Sequence, residues 1–135
     1  MIDSIAAVTK RPPDFRPRLF CPMGIGGHVD HLITLRAVMQ HYEHLRSRYE
    51  IVFYEDLFYA SHLDERVRGI LRFREIVRPL MPRRWSLPVR DCAEKLELIR
   101  LYRSQFSEPP ENLTTFNPAK LFNFDLHEAV WTVGA

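Results

Sequence analysis

The chain is short of several things that would have narrowed its function at once. It has two cysteines, Cys21 and Cys92, and no Cys-x-x-Cys pair. That is too few for a disulfide framework, and both read as buried free thiols. No apolar run approaches the roughly 18 to 20 residues a helix needs to cross a bilayer. Residues Met1 to Lys10 are mildly apolar but have neither the basic start nor the long apolar stretch of a signal peptide, so a cytoplasmic chain is expected. Charge of one sign is missing too. Nineteen basic against seventeen acidic residues leave a net +2, which implies no strongly charged partner. Eight arginines do fall between Arg66 and Arg90. No aromatic platform or helix-turn-helix pattern accompanies them, however, and Asp64, Glu65 and Glu75 are interspersed. They read as a solvated, ion-paired helix face and not as a nucleic-acid site.

What remains has the composition of an ordinary globular domain, 46% hydrophobic and 27% charged over 135 residues. That length is enough for one domain with a real core, spanning 1–135. Pro12, Pro13 and Pro17 make the first residues an extended lead-in. Arg18 to Pro22 is an apolar run of strand length. From His31 to about Arg46 the period is helical, with Leu35, Val38, Met39, Tyr42 and Leu45 on one stripe and Asp30 placed to cap the start. Glu50 to Tyr54, rich in β-branched and aromatic residues, is the next strand. Strand, helix and strand form a right-handed βαβ unit with parallel strands. Asp64 to Val77 reads as a helix with Val67, Ile70, Leu71 and Val77 inward, ended by Pro79 and Pro82. Trp85 to Val89 reads as a short edge strand, and Asp91 to Phe106 as a helix striped by Leu96, Ile99, Tyr102 and Phe106, with Asp91 as its cap. The aromatic tail, with Phe116, Phe122, Phe124 and Trp131, is expected to pack on the body. There is no internal repeat, low-complexity tract or linker.

The chemistry gathers at Gly24-Ile-Gly-Gly-His-Val-Asp-His31, between the first strand and the helix. In open α/β sheets ligands collect beyond the carboxyl ends of parallel strands, where this loop lies and where Glu55 and Asp56 also fall. Neutral imidazole is a good zinc ligand, and a neighbouring carboxylate fixes its tautomer and raises its basicity. A second histidine outside the coordination sphere can stabilise an oxyanion or carry a proton. On spacing alone an equal alternative stands: Asp30 caps the helix, and His28 and His31 are partly exposed loop residues. The glycines do not make a phosphate loop, because no Lys-Ser/Thr pair follows, and the dinucleotide fingerprint fails on its third glycine. His41 and His44, three apart on the helix, read as solvent-exposed, while His62 and His127 are isolated. Glu55 and Asp56 have either a substrate-positioning or a structural role.

The block Cys21-Pro-Met-Gly-Ile-Gly-Gly-His-Val-Asp-His31, followed by Val52-Phe-Tyr-Glu-Asp-Leu-Phe-Tyr-Ala60, resembles the PIG-L/LmbE-like deacetylases. Lys95-Leu-Glu-Leu-Ile-Arg-Leu-Tyr-Arg-Ser-Gln105 is similar to a later helix of that family. The resemblance covers about residues 18 to 106, in family order. It implies a Rossmann-like three-layer α/β/α fold with a mostly parallel sheet, and a zinc-dependent hydrolase that removes acetyl from N-acetylglucosamine-type substrates, whether free sugar or glycoconjugate. Carried over by motif, His31 is a zinc ligand, His28 stabilises the tetrahedral oxyanion, and Asp30 orients and polarises a histidine. Zinc then lowers the pKa of its water and polarises the amide carbonyl.

One half of the family pattern is absent. The His-Pro-Asp-Asp motif, which supplies two further zinc ligands and the general base, occurs nowhere in the chain. A catalytic zinc needs about three protein ligands, and the motif assigns one. The expectation is therefore the C-terminal portion of such a deacetylase, inert alone, sharing its zinc with donors outside this chain. The partner would be the missing N-terminal portion or a second copy, and the sheet would be incomplete, with exposed edge or apolar surface. The alternative is a non-catalytic binding or scaffolding domain on the same fold. A metallo-β-lactamase-like hydrolase is disfavoured, since no His-x-His precedes the Asp-His pair.

Overall fold

A computed structural model describes residues 16–89, 92–101 and 127–134. Its elements run β1 (Arg18–Pro22), α1 (Val29–Gln40), α2 (Tyr42–Arg46), β2 (Glu50–Tyr54), a 3-10 turn (Tyr59–Ser61), α3 (Leu63–Val77), β3 (Met81–Pro88), α4 (Cys92–Arg100) and β4 (His127–Gly134). The strands form one sheet in the order β1-β2-β4-β3. β1 and β2 are parallel, with Phe20 opposite Val52. β4 runs antiparallel to both of its neighbours. The α/β class is as the sequence predicts, and so is the parallel βαβ unit. The described sheet has one parallel and two antiparallel pairings, where a mostly parallel sheet was expected. The difference comes from β4, a strand the sequence reading assigned only as packed tail. It inserts between β2 and β3 and leaves β3 at the edge.

Helices α1, α2 and α3 cover one face of this sheet. Leu35 and Tyr42 from the α1–α2 stripe, and Phe73 and Val77 from α3, pack on Cys21, Ile51, Phe53 and Trp131. The stripe from Leu35 to Leu45 is buried or half-buried as predicted. Its helix, however, breaks at His41, where the backbone leaves helical geometry (φ −107°, ψ 17°) and separates α1 from α2. On α3 the inward face is rotated from expectation. Val77 is buried and Ile70 packs on the core as predicted, but Val67 and Leu71 are exposed while Gly69 and Phe73 are buried. Gly69 sets that rotation: a Cβ there would lie 2.7 Å from the Ile25 side chain, so only glycine lets α3 come this close to the turn after β1. The predicted helix beyond Leu101, its Asp91 cap, and Phe116, Phe122 and Phe124 lie outside the described residues.

Glu55, 2% exposed at the end of β2, joins the layers. Arg66 of α3 donates to it through both Nε (2.6 Å) and Nη2 (2.9 Å), and Trp131 Nε1 of β4 donates at 2.9 Å. Arg84 of β3 adds a longer contact at 3.4 Å, and its Nη2 donates to His127 Nε2 at 2.7 Å. Burial alone would raise the Glu55 carboxyl, but the Arg66 guanidinium, then the indole N–H and Arg84, outweigh it and hold the group below its ordinary range. A carboxyl held low by folding adds stability above its ordinary pKa of about 4.3, and that stability is lost as pH falls through the depressed folded value.

Replacing Glu55 with alanine leaves Arg66 buried without its counter-charge, so Glu55→Ala should cost about 3–5 kcal/mol in urea unfolding. The wild type should also lose stability on acidification below about pH 4.3 more steeply than the variant.

Candidate functional site

Two loops build the site, one after each parallel strand. The first descends from β1 through Met23, whose N–H still bonds to Tyr54 O at 3.1 Å and so extends the β1–β2 pairing. It then turns sharply, with Gly24, Gly26 and Gly27 at φ of 74°, 85° and 77° and Gly27 N–H closing on Gly24 O. These left-handed values strain any residue bearing a Cβ. Gly26 has a second constraint, because a Cβ there would lie 2.2 Å from the Tyr59 ring. That contact seats the second loop against the first. The second loop follows β2 and is closed by Ala60 N–H to Asp56 O at 2.8 Å.

Asp56 holds the two loops and the helix start together. It is 2% exposed. Its Oδ2 accepts Ile25 N–H at 2.8 Å, and its Oδ1 lies 2.6 Å from His31 Nδ1. Both atoms are buried and make no aligned hydrogen bond, to each other or to a third group, so they meet as a close polar contact. Burial pushes the carboxyl of Asp56 up, while Ile25 N–H and His31 pull against that shift. The remaining nitrogen of His31, Nε2, is the one left for a ligand. This carboxylate–imidazole pairing fixes tautomer and ring direction in metal-binding histidines.

His28 and His31 come together, with ring centroids 5.1 Å apart and planes tilted by 43°. His28 is exposed just before α1, as the helix begins at Val29 and its flanking residue makes no side-chain cap. Asp30 therefore falls inside the first turn and is not the cap that the sequence reading expected. Its Oδ2 lies 3.8 Å from His28 Nδ1, beyond hydrogen-bonding distance, and both side chains are exposed. The carboxylate on His31 is Asp56, contributed by the other loop. The sequence offered one signal for it: an acidic pair at the carboxyl end of the neighbouring parallel strand. His41 and His44 are exposed on α1–α2, and His62 borders Phe58 at 5.6 Å between ring centroids.

Among the described residues no group of three or more His, Cys, Asp or Glu side chains is placed to hold a metal ion. His31 alone has the chemistry of a zinc ligand with its orienting carboxylate; the full donor set that a catalytic zinc needs does not fit the described residues. What they do provide is a positioned imidazole nitrogen, and beside it a second imidazole able to donate or accept a proton.

Asp56→Ala should strand Ile25 N–H in a buried position and free the His31 ring, costing about 1–3 kcal/mol in urea unfolding. Gly26→Ala should cost about as much through its left-handed φ, and a smaller residue at Tyr59 should recover only the steric part. No family model, curated protein or solved structure matches this chain.

Proposed function

We propose that this chain is the part of a PIG-L/LmbE-like, zinc-dependent N-acetylglucosaminyl deacetylase that carries the second half of the active site. The observation behind the proposal is the buried Asp56 carboxylate 2.6 Å from His31 Nδ1, beside a glycine turn that puts His28 5.1 Å away. His31 offers Nε2 as one metal ligand. His28, exposed at the loop tip, is placed to donate to the oxyanion that forms when an acetamide carbonyl is attacked. Asp30 sits next to His28, its Oδ2 3.8 Å from Nδ1, and orients that ring through charge and not through a hydrogen bond. The remaining donors come from residues outside this sequence, and the zinc, when bound, supplies Lewis acidity and an activated water. The Rossmann-like three-layer form of the fold belongs to the same proposal, with a second helical layer over the face of the sheet turned away from α1 and α3.

A second reading keeps the fold and drops the metal: a non-catalytic binding or scaffolding domain. The lack of a three-donor cluster among the described residues favours it over an enzyme complete in itself.

The two readings part on metal content. On the first, the purified chain holds well under one zinc per monomer by elemental analysis and does not release acetate from N-acetylglucosamine derivatives. Co-expression with a polypeptide bearing a His-Pro-Asp-Asp segment, encoded upstream or in a neighbouring frame, restores both, and His31→Ala removes both again. One tightly held zinc in the chain alone, or metal and rate unchanged in His31→Ala, contradicts the assignment.

A further inference from the structure

Phe58 holds a strained backbone. Among the described residues it is the one non-glycine position with a positive φ, at φ 76° and ψ −62°. Those are the angles of the rare form of γ-turn, which a bulky residue keeps only where its surroundings dictate it. Here they do. The Phe58 carbonyl accepts Ser61 N–H at 3.2 Å and the Ser61 hydroxyl at 2.6 Å. On either side, Ala60 N–H bonds to Asp56 O at 2.8 Å and His62 N–H to Tyr59 O at 3.1 Å. None of these bonds uses the phenyl ring, so a glycine at 58 would make the same turn with less crowding.

Core packing does not account for the phenylalanine. Its ring meets Tyr59 and His62 edge to face, at 5.6 Å between centroids in each case, and the residue is still 41% exposed. Tyr59, the next residue, is half-buried against the core and the glycine turn. The strained residue also stands at the site. It is two residues beyond Asp56, which holds His31, and its neighbour Tyr59 abuts Gly26, two residues before His28. Strain kept beside a site fixes a side chain in advance, so that no ordering cost falls on binding. We infer that Phe58 is a ligand-contacting residue, its ring a preset platform for the apolar C–H face of the sugar whose acetamide reaches His28 and His31. The identity of that sugar rests on the deacetylase reading; the platform rests on the turn. An aromatic ring takes the C–H face of a pyranose by dispersion and burial and leaves the hydroxyls to water.

Three variants of the full chain separate the strain from the ring. Phe58→Ala removes the ring and keeps the crowded Cβ, Phe58→Gly removes both, and Phe58→Trp keeps an aromatic face. In urea unfolding Phe58→Gly should have the higher midpoint of the two truncations, despite the greater freedom of glycine in the unfolded chain. Binding is read by saturation-transfer NMR with the methyl β-glycoside of N-acetylglucosamine as the probe. The wild type should transfer to the C–H protons of the sugar ring. Phe58→Ala and Phe58→Gly should both bind about tenfold more weakly, the loss expected for one aromatic contact, and Phe58→Trp should bind as the wild type does. Equal urea midpoints for the two truncations would overturn the inference, since the turn would then store no strain. Sugar bound equally well by the wild type and Phe58→Ala, or not bound by the wild type, would overturn it as well. The deacetylase reading stands or falls separately, on the zinc content of the co-expressed protein, which none of these variants is needed to measure.

Discussion

A buried carboxylate is costly, and Asp56 is where this fold meets that cost, with Oδ2 hydrogen-bonded and Oδ1 held against an imidazole. Its two oxygens are divided between the Ile25 N–H of one loop and the His31 ring at the start of a helix. Removing either partner would leave a charge or a polar atom buried and unserved. The glycine turn, the first turn of α1 and the end of β2 are therefore fixed relative to one another by a single side chain. Glu55, one residue earlier, points to the other side of the extended backbone, as strand period requires. There it gathers α3, β3 and β4 through Arg66, Arg84 and Trp131. Two adjacent acids thus divide the work: one organises the body and the other the site.

Much of this was legible in the sequence where the hydrophobic period was long or the residues were locally decisive. Arg18 to Pro22, Glu50 to Tyr54 and the Leu35 to Leu45 stripe follow from apolar pattern and strand composition alone. The break at His41 and the start of α1 at Val29 were not legible, since one-residue boundaries depend on how the loop before the helix is held. The rotation of α3 was hidden for a different reason. Gly69 has no hydrophobic signature, yet its missing Cβ admits Ile25 and turns Phe73 inward. β4 escaped because a strand near the chain end is recognised by its partners, β2 and β3, which are far away in sequence.

The site was half legible. His28 and His31 do come together as their spacing suggested, and both lie beyond the carboxyl ends of the parallel pair. The carboxylate partner of His31 was not assignable from local spacing. Asp30 is the nearer in sequence, while Asp56 is the one folding delivers. Among the described residues no three His, Cys, Asp or Glu donors come together to hold a metal ion.

The most direct test of the account is the protonation pattern of the His31 ring, read by long-range ¹H–¹⁵N NMR at about pH 8, where an ordinary imidazole is neutral. The account predicts Nδ1 carrying the hydrogen toward Asp56 and Nε2 bare, with the pattern lost in Asp56→Ala. A hydrogen on Nε2 in the wild type, or a pattern indifferent to Asp56, would contradict it, because the nitrogen offered to a metal would then have no free lone pair or no means of being aimed.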